Sequence, residues 1–347
     1  MAPIGGAEVA PGTRADLAIA VSESYSGDRT SIPLSVLRGV EDGPRVFVTA
    51  VVHGDELNGL AVCRELLQVI DAAELRGTLV IVPIVNVLGA QLHSRYLPDR
   101  RDLNRSFPGS ATGSIAARMA RQMMDEVVEG SDVGIDLHTA ANRRTNVPQL
   151  RIDTSDDRAL ELSLAFAAPY VLDKSVRPGS LREAAAAVGV TMLTYEGGEA
   201  LRFDPEPIRV ATEGILRVLH HLKMRDEPPP KAPAPPLVMH ESKWMRADRA
   251  GILDLHVQPG DHVQESQPLW TVTGPYGRER STIASPFEAY IIGGTTLPLV
   301  VPGDAVLHLA LPSDRAPLED DPIDEEDTVE DSGDDDDANG TVSAFLI

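Results

Sequence analysis

Four short fragments stand out in the chain, each polar at the end of an apolar run or in a loop beside one. They are His53-Gly54-Asp55-Glu56, Asp102-Leu103-Asn104-Arg105, Asp136-Leu137-His138 and Tyr195-Glu196-Gly197-Gly198. Together they offer two imidazoles and a carboxylate for a metal, an Asn-Arg pair for an anion, and one further carboxylate for proton transfer. A catalytic zinc takes three protein ligands and keeps a fourth position open, whereas a closed structural site takes four. The residue types therefore point to an enzyme.

The elements that must position them follow from the apolar runs. Arg45 to Val52 is short and rich in β-branched residues, as a buried strand is, and His53 falls just past it, where ligands gather in open α/β sheets. The spacing predicts that Glu56 opens the helix read over 57–70, three residues on and on the same face as His53. Taken alone, such a pair is more often a solvated helix start than a metal site. Val133 to Thr139 is a second buried run, and its alternation sets Asp136 and His138 on one face. Asp136 can then orient a ligand imidazole; the alternative is a satisfied core histidine. Val190 to Glu196 is a third run ending in an acid. A carboxylate there can serve as general base on an activated water, with Glu199 as the competing choice and a plain surface carboxylate as the alternative for either.

Residues 97–109 read as a loop from their Pro, Gly and charge content. A guanidinium beside an amide, as in Asn104-Arg105, suits bidentate carboxylate recognition. Arg100 and Arg101 read as solvated charge. Arg95, a little upstream, is a candidate for stabilising a developing oxyanion.

In this order the fragments resemble the succinylglutamate desuccinylase/aspartoacylase family of zinc-dependent amide hydrolases, itself similar to the zinc carboxypeptidases. The likeness spans roughly residues 35–310. It implies a zinc-carboxypeptidase-like mixed α/β sheet with helices on both faces. It further implies one zinc ion held by His53, Glu56 and His138, Glu196 as general base, Arg95 polarising the scissile carbonyl, and Asn104 and Arg105 holding a substrate carboxylate. The implied substrate is a small N-acyl amino acid, cleaved at its amide bond. The family places its general base before a glycine-containing turn, so the resemblance favours Glu196 over Glu199.

Composition bounds the rest. A chain of 347 residues accommodates two domains at about 100–200 residues each. Its net charge of −22 excludes the basic footprint that nucleic-acid binding needs. Residues 319–337 hold 13 Asp and Glu and no Lys or Arg, so much of that charge is one block. Such a block cannot offset its ordering entropy and reads as a solvated, disordered tail over 314–347. Its apolar end, Ala344-Phe345-Leu346-Ile347, keeps an interaction role open. The single Cys63 allows no internal disulfide and reads as core packing in a reducing compartment. The start lacks the features of a signal peptide and no apolar stretch approaches the ~20 residues that cross a bilayer, so the expectation is a cytoplasmic protein without membrane contact.

Strand-like runs near 45–52, 78–86, 133–138 and 190–196 alternate with helical patterns near 57–70, 114–129, 181–188 and 206–223, which indicates an α/β sheet. That catalytic region is read as 1–225. Proline-dense residues 226–236 form a semi-rigid linker. Beyond them, 237–313 read as short strands punctuated by turns, an all-β module whose wording resembles a biotinyl/lipoyl-type barrel-sandwich hybrid. A swinging-arm carrier needs an attachment lysine on a hairpin, and the last lysine, Lys243, lies ahead of the strands and turns that begin at Gly251; the carrier role is rejected. The module instead walls the site mouth or mediates homo-oligomerisation, and His240, His256, His262 and His308 read as surface or packing residues. Two alternative functions stand beside the deacylase: a carboxypeptidase-like activity on a C-terminal residue, and a catalytically silent scaffold with an acidic interaction tail. Arg143, Arg144 and Arg151 follow the His138 strand as acyl-chain readers or as surface charge, with neither favoured.

Overall fold

Runs of Val, Ile and Leu with two-residue alternation build the central strands, and the two sets of alternating side chains define two cores. In the computed structural model, which describes residues 4–23 and 25–312, the first strands are β1 (Thr13–Glu23), β2 (Arg29–Arg38), β3 (Glu41–Ala50) and β4 (Arg76–Val82). They are followed by β5 (Val133–Ala140), β6 (Arg144–Ile152), β7 (Tyr170–Asp173) and β8 (Thr191–Glu199). The helices are α1 (Asn58–Val69), α2 (Val87–Leu92), α3 (Ile115–Met123), α4 (Asp157–Phe166), α5 (Leu181–Ala187) and α6 (Pro205–His221). β4, β3, β5 and β8 lie side by side and parallel, while β1 and β2 run antiparallel to their neighbours and β6 runs antiparallel to β8 but parallel to β7, so the sheet is mixed.

Val48, Leu137 and Tyr195 face one core with α1, α4 and α6. Phe47, Val80 and Met192 face the other with α3 and α5. Helices thus cover both faces, as an internal parallel sheet requires. Cys63 is fully buried in the first core, and burial pushes its thiol pKa up, in keeping with a packing role. α3 closes in a π turn, Met124–Val128, so the single helical pattern read over 114–129 is two hydrogen-bonding registers in sequence.

The proline-rich segment is tied to the body by Arg76, whose Nη2 lies 2.6 Å from Asp226 Oδ2, and by Arg217, which donates to the Pro230 carbonyl at 3.2 Å. Past it come β9 (Leu237–Arg246), β10 (Gly251–Leu255), β11 (His262–Val263), β12 (Pro268–Thr273), β13 (Glu279–Ala284), β14 (Ala289–Thr295), β15 (Leu299–Val300) and β16 (Ala305–Pro312). β9 pairs in parallel with β7, and β14 pairs antiparallel with β6, so the sheet continues into this segment. A separate four-stranded sheet, β13-β12-β10-β15, closes a core around Trp270, Val263 and Leu309. The acidic tail over 314–347 lies outside the described residues. Among the described residues no helix is long and apolar enough to cross a membrane.

Candidate active site

The site forms where β3, β5 and β8 end together. β3 stops at Ala50, and the next residue, Val51, sits in the left-handed region at φ 55° with its side chain fully buried. A β-branched residue there is strained, and it swings the chain off the sheet immediately before His53. The spacing predicts a shared helical turn for His53 and Glu56, and the structure corrects this: neither residue is helical. They close a turn of their own, with the Glu56 amide donating to the His53 carbonyl at 3.2 Å, and α1 starts only at Asn58. Gly54 makes this possible, because a Cβ there would lie 2.1 Å from the Gly89 carbonyl carbon and 2.4 Å from the Ser94 carbonyl oxygen. The turn therefore lies directly on the segment that delivers Arg95.

Glu56 is the hub. Its Oε1 lies 2.6 Å from His53 Nδ1, and its Oε2 lies 2.7 Å from His138 Nδ1 and accepts from the Thr139 amide at 3.1 Å. All three side chains are buried, and the two rings are 4.9 Å apart. The outer nitrogens meet aspartates. His138 Nε2 is 2.7 Å from Asp136 Oδ2, and Asp136 Oδ1 accepts from the Thr49 hydroxyl at 2.7 Å. His53 Nε2 lies 3.3 Å from Asp102 Oδ1. Burial alone would raise the Glu56 carboxyl and depress both imidazoles. The imidazoles outweigh that for Glu56, which is held well below the usual range, and the carboxylates outweigh it for His53 and His138, which are raised. Asp55, buried beside Glu56, is pushed up to about 6, mainly by desolvation.

The donor chemistry fits a metal. His53, Glu56 and His138 each offer one ligand atom, and these lie within 4.8 Å of one another. Each imidazole turns Nδ1 inward and Nε2 toward an aspartate, the arrangement that fixes the tautomer of a ligand histidine. Among the described residues no other such group of His, Cys, Asp and Glu occurs. In particular His240 pairs with Asp173, His262 with Glu288, and His308 stacks on Trp244.

Arg95 joins the cluster from the side. Its Nη1 is 3.2 Å from His53 Nδ1 and 3.4 Å from Glu56 Oε1, and its Nη2 donates to Asp102 Oδ2 at 3.0 Å. Asp102 caps the one-turn helix Leu103–Arg105, which carries the other two expected residues. Asn104 Oδ1 accepts from the Leu181 amide at 2.9 Å, fixing the loop to the start of α5, and Arg105 is exposed with Nη1 on the Asn104 carbonyl at 2.8 Å. Arg100 and Arg101 are exposed.

Glu196 stands beside His138 in the parallel register of β5 and β8. Its carboxylate receives Asn146 Nδ2 at 3.3 Å and Arg151 Nη1 at 3.5 Å. Glu199 is committed elsewhere, to the Arg143 amide, the Thr296 hydroxyl and Arg202, so it braces the loop after β8. The turn behind Glu196 is clamped by Asn58, which donates to the Gly197 carbonyl at 3.0 Å and accepts from the Asp204 amide at 2.8 Å. Gly198, at φ +80°, is required there: a Cβ would lie 2.4 Å from Asn58 Nδ2. Of the three arginines after β5, Arg151 reaches Glu196, whereas Arg144 lies over the Trp244 ring at 5.1 Å and Arg143 is exposed. Sequence reasoning assigned no role to Asp102, Asn58, Asn146 or Gln149. For Asn146 and Gln149 the available signal was a polar-rich strand, Arg144–Ile152, hidden by Pro148 in its middle.

Comparison with known proteins accords with this geometry. Residues 42–222 match the model of the succinylglutamate desuccinylase/aspartoacylase catalytic domain. The chain is 30% identical over 271 residues to the N-alpha-acetyl-L-2,4-diaminobutyric acid deacetylase of Halomonas elongata, covering 73% of this chain and 76% of that one. Its fold is similar to the product-bound ectoine utilisation protein EutE (DoeB) from Ruegeria pomeroyi, with TM-score 0.77, 22% identity and coverage of 86% and 95%. A succinylglutamate desuccinylase/aspartoacylase from Rhodobacter sphaeroides is similarly close, with TM-score 0.76, 24% identity and coverage of 86% and 96%. The chain belongs to the succinylglutamate desuccinylase/aspartoacylase family.

Proposed function

We propose that the protein is a zinc-dependent amidohydrolase that removes the acyl group from a small N-acyl amino acid. The observation that carries this reading is the convergence of His53, Glu56 and His138, with Glu196 one strand away from His138 in register. His53, Glu56 and His138 would hold the ion. When bound, zinc supplies Lewis acidity and lowers the pKa of a coordinated water to about 7.

The chain's own residues do the rest. Glu196 takes a proton from the attacking water and delivers it to the leaving amine, with Asn146 and Arg151 steering its carboxylate toward the reacting bond. Arg95 stabilises negative charge developing on the scissile carbonyl oxygen, and Asp102 fixes the guanidinium plane for that task. Arg105, with Asn104 anchoring its loop to α5, binds the carboxylate of the amino-acid part. Asp136 and Asp102 hold the two imidazoles with Nδ1 turned inward. The deacetylase relative, whose substrate by name is an N-acetylated diamino acid, supports a small acyl group on an amino acid.

The test is amine release from N-acetyl amino acids by zinc-loaded Glu196→Gln protein. Zinc retained with turnover lost by about 100-fold or more supports the assignment; near wild-type turnover removes Glu196 as the base.

A further inference from the structure

β6 is unusually polar for a strand inside a sheet, reading Arg-Thr-Asn-Val-Pro-Gln-Leu-Arg-Ile. Leu150 packs into the core of α1, α4 and α6, as do Leu137 of β5 and Tyr195 of β8. Gln149, Glu196 and His138 alternate with those residues, so they share the opposite face. The register sets Gln149 beside Glu196 and Glu196 beside His138. Three polar residues thus form a row across β6, β8 and β5, at strand spacings of about 4.8 Å. Gln149 is 0% exposed, and neither its Oε1 nor its Nε2 has a hydrogen-bond partner among the described residues. A fully buried amide with both atoms unmatched is rare in a folded protein and calls for a partner. The polar residues flanking it on β6 do not supply one: Asn146 and Arg151 both address Glu196.

We propose that Gln149 is a specificity determinant that reads the far end of the substrate, and that this end carries an N–H group, an amine or a primary amide. The proposal rests on the amidohydrolase reading and names its substrate class. The amide oxygen needs a donor, and the adjacent Glu196 carboxylate attracts one too. A primary amide matches both Gln149 atoms, and an amine matches Oε1 beside the Glu196 charge. A distal carboxylate could accept from Nε2 but would leave Oε1 unmatched and meet Glu196 as a like charge, with the Arg151 charge already set against Glu196. An apolar side chain would leave both amide atoms unmatched, which a buried site penalises more than it rewards the contact.

The experiment compares Nα-acetyl derivatives of ornithine, glutamine, glutamate and norvaline, four side chains of similar length, on zinc-loaded wild-type and Gln149→Leu protein. Wild type is expected to favour ornithine or glutamine over glutamate and norvaline by about 10- to 100-fold in kcat/KM, and whichever leads identifies the donor as amine or amide. In Gln149→Leu these two should fall to the level of norvaline, while the unfolding temperature stays level or rises because an unmatched amide has been removed. A preference that survives the substitution, or a parallel fall on all four substrates, overturns the proposal. Protection against thermal unfolding by free ornithine, glutamine and norvaline separates the two readings. If wild type turns over nothing, the amidohydrolase reading fails; Gln149 is then judged by whether the substitution abolishes a selective shift with ornithine or glutamine. Equal shifts in both proteins reject it.

Discussion

Replacing Asp136 by Asn changes one atom and tests the logic of the metal cluster. Asp136 is buried, with Oδ2 at 2.7 Å from His138 Nε2 and Oδ1 at 2.7 Å from the Thr49 hydroxyl. A carboxylate accepts at both positions, whereas an amide offers one acceptor and one donor. If the amide oxygen keeps the Thr49 bond, its N–H group faces Nε2, which must then accept. The ring proton moves to Nδ1, the atom that faces Glu56, and Nδ1 loses its lone pair for a metal. If the amide turns round, the Thr49 hydroxyl must accept instead of donate, and the negative charge that raises imidazole basicity is gone. Either way the loss falls on the metal. Outer-shell substitutions of this kind cost about 10- to 100-fold in metal affinity, or about 1.4–2.7 kcal/mol. Zinc affinity by competition with a chromophoric chelator, beside Thr49→Val and the double variant, isolates the effect. Coupling of about 0.5 kcal/mol or more between the two sites is expected. Zinc affinity within twofold of wild type in Asp136→Asn would refute the role given to the aspartate.

Other outcomes follow from the same geometry. Arg105→Ala should raise KM for substrates bearing a free carboxylate by roughly 10- to 100-fold through loss of a charge-assisted contact, with their amides little changed; equal weakening of both rejects the carboxylate clamp. Asn58→Ala strands the Gly197 carbonyl and the Asp204 amide, so unfolding in urea should show a loss of about 2–4 kcal/mol, and a loss below about 0.5 kcal/mol would show that the clamp is dispensable. Zinc binding should tighten with pH. For His138, burial disfavours the charged ring but is outweighed by Asp136 and Glu56, so the ring holds its proton above the ordinary imidazole range of about 6.5. The metal must displace that proton, and apparent affinity should climb up to about tenfold per pH unit for each proton released; a flat profile contradicts it. In the metal-free protein the sign is opposite: the raised pKa adds stability that is complete below about 6.5 and lost as pH rises through the folded value. Chemical unfolding of chelated wild type and His138→Ala across this range tests it, and a difference that grows with pH would contradict it.

Much of the site is legible in the chain because each apolar run of a parallel strand stops at a polar residue, and parallel strands deliver those stops to one edge. Alternation sets His138 and Asp136 on one face, while a ligand role for His138 and the choice of Glu196 over Glu199 come from the family resemblance. The local form of His53-Gly54-Asp55-Glu56 is not legible, since the left-handed Val51 and the close approach of Gly54 to Gly89 arise from tertiary contact rather than propensity. β6 is hidden by its polarity and by Pro148. Asp102 reads as one charge in a charged loop, and only the fold brings it to His53 and Arg95. Arg143, Arg144 and Arg151 are equivalent in sequence, yet a bulge in the β6–β8 pairing and the approach of Trp244 send them to three different places.

The most direct test of the account is free-amine release from a panel of N-acyl amino acids by zinc-loaded protein, with and without a chelator. Turnover that a chelator abolishes and added zinc restores is the predicted result. Turnover indifferent to the chelator in protein shown to be metal-free, or none on any member in protein that retains zinc, would contradict it.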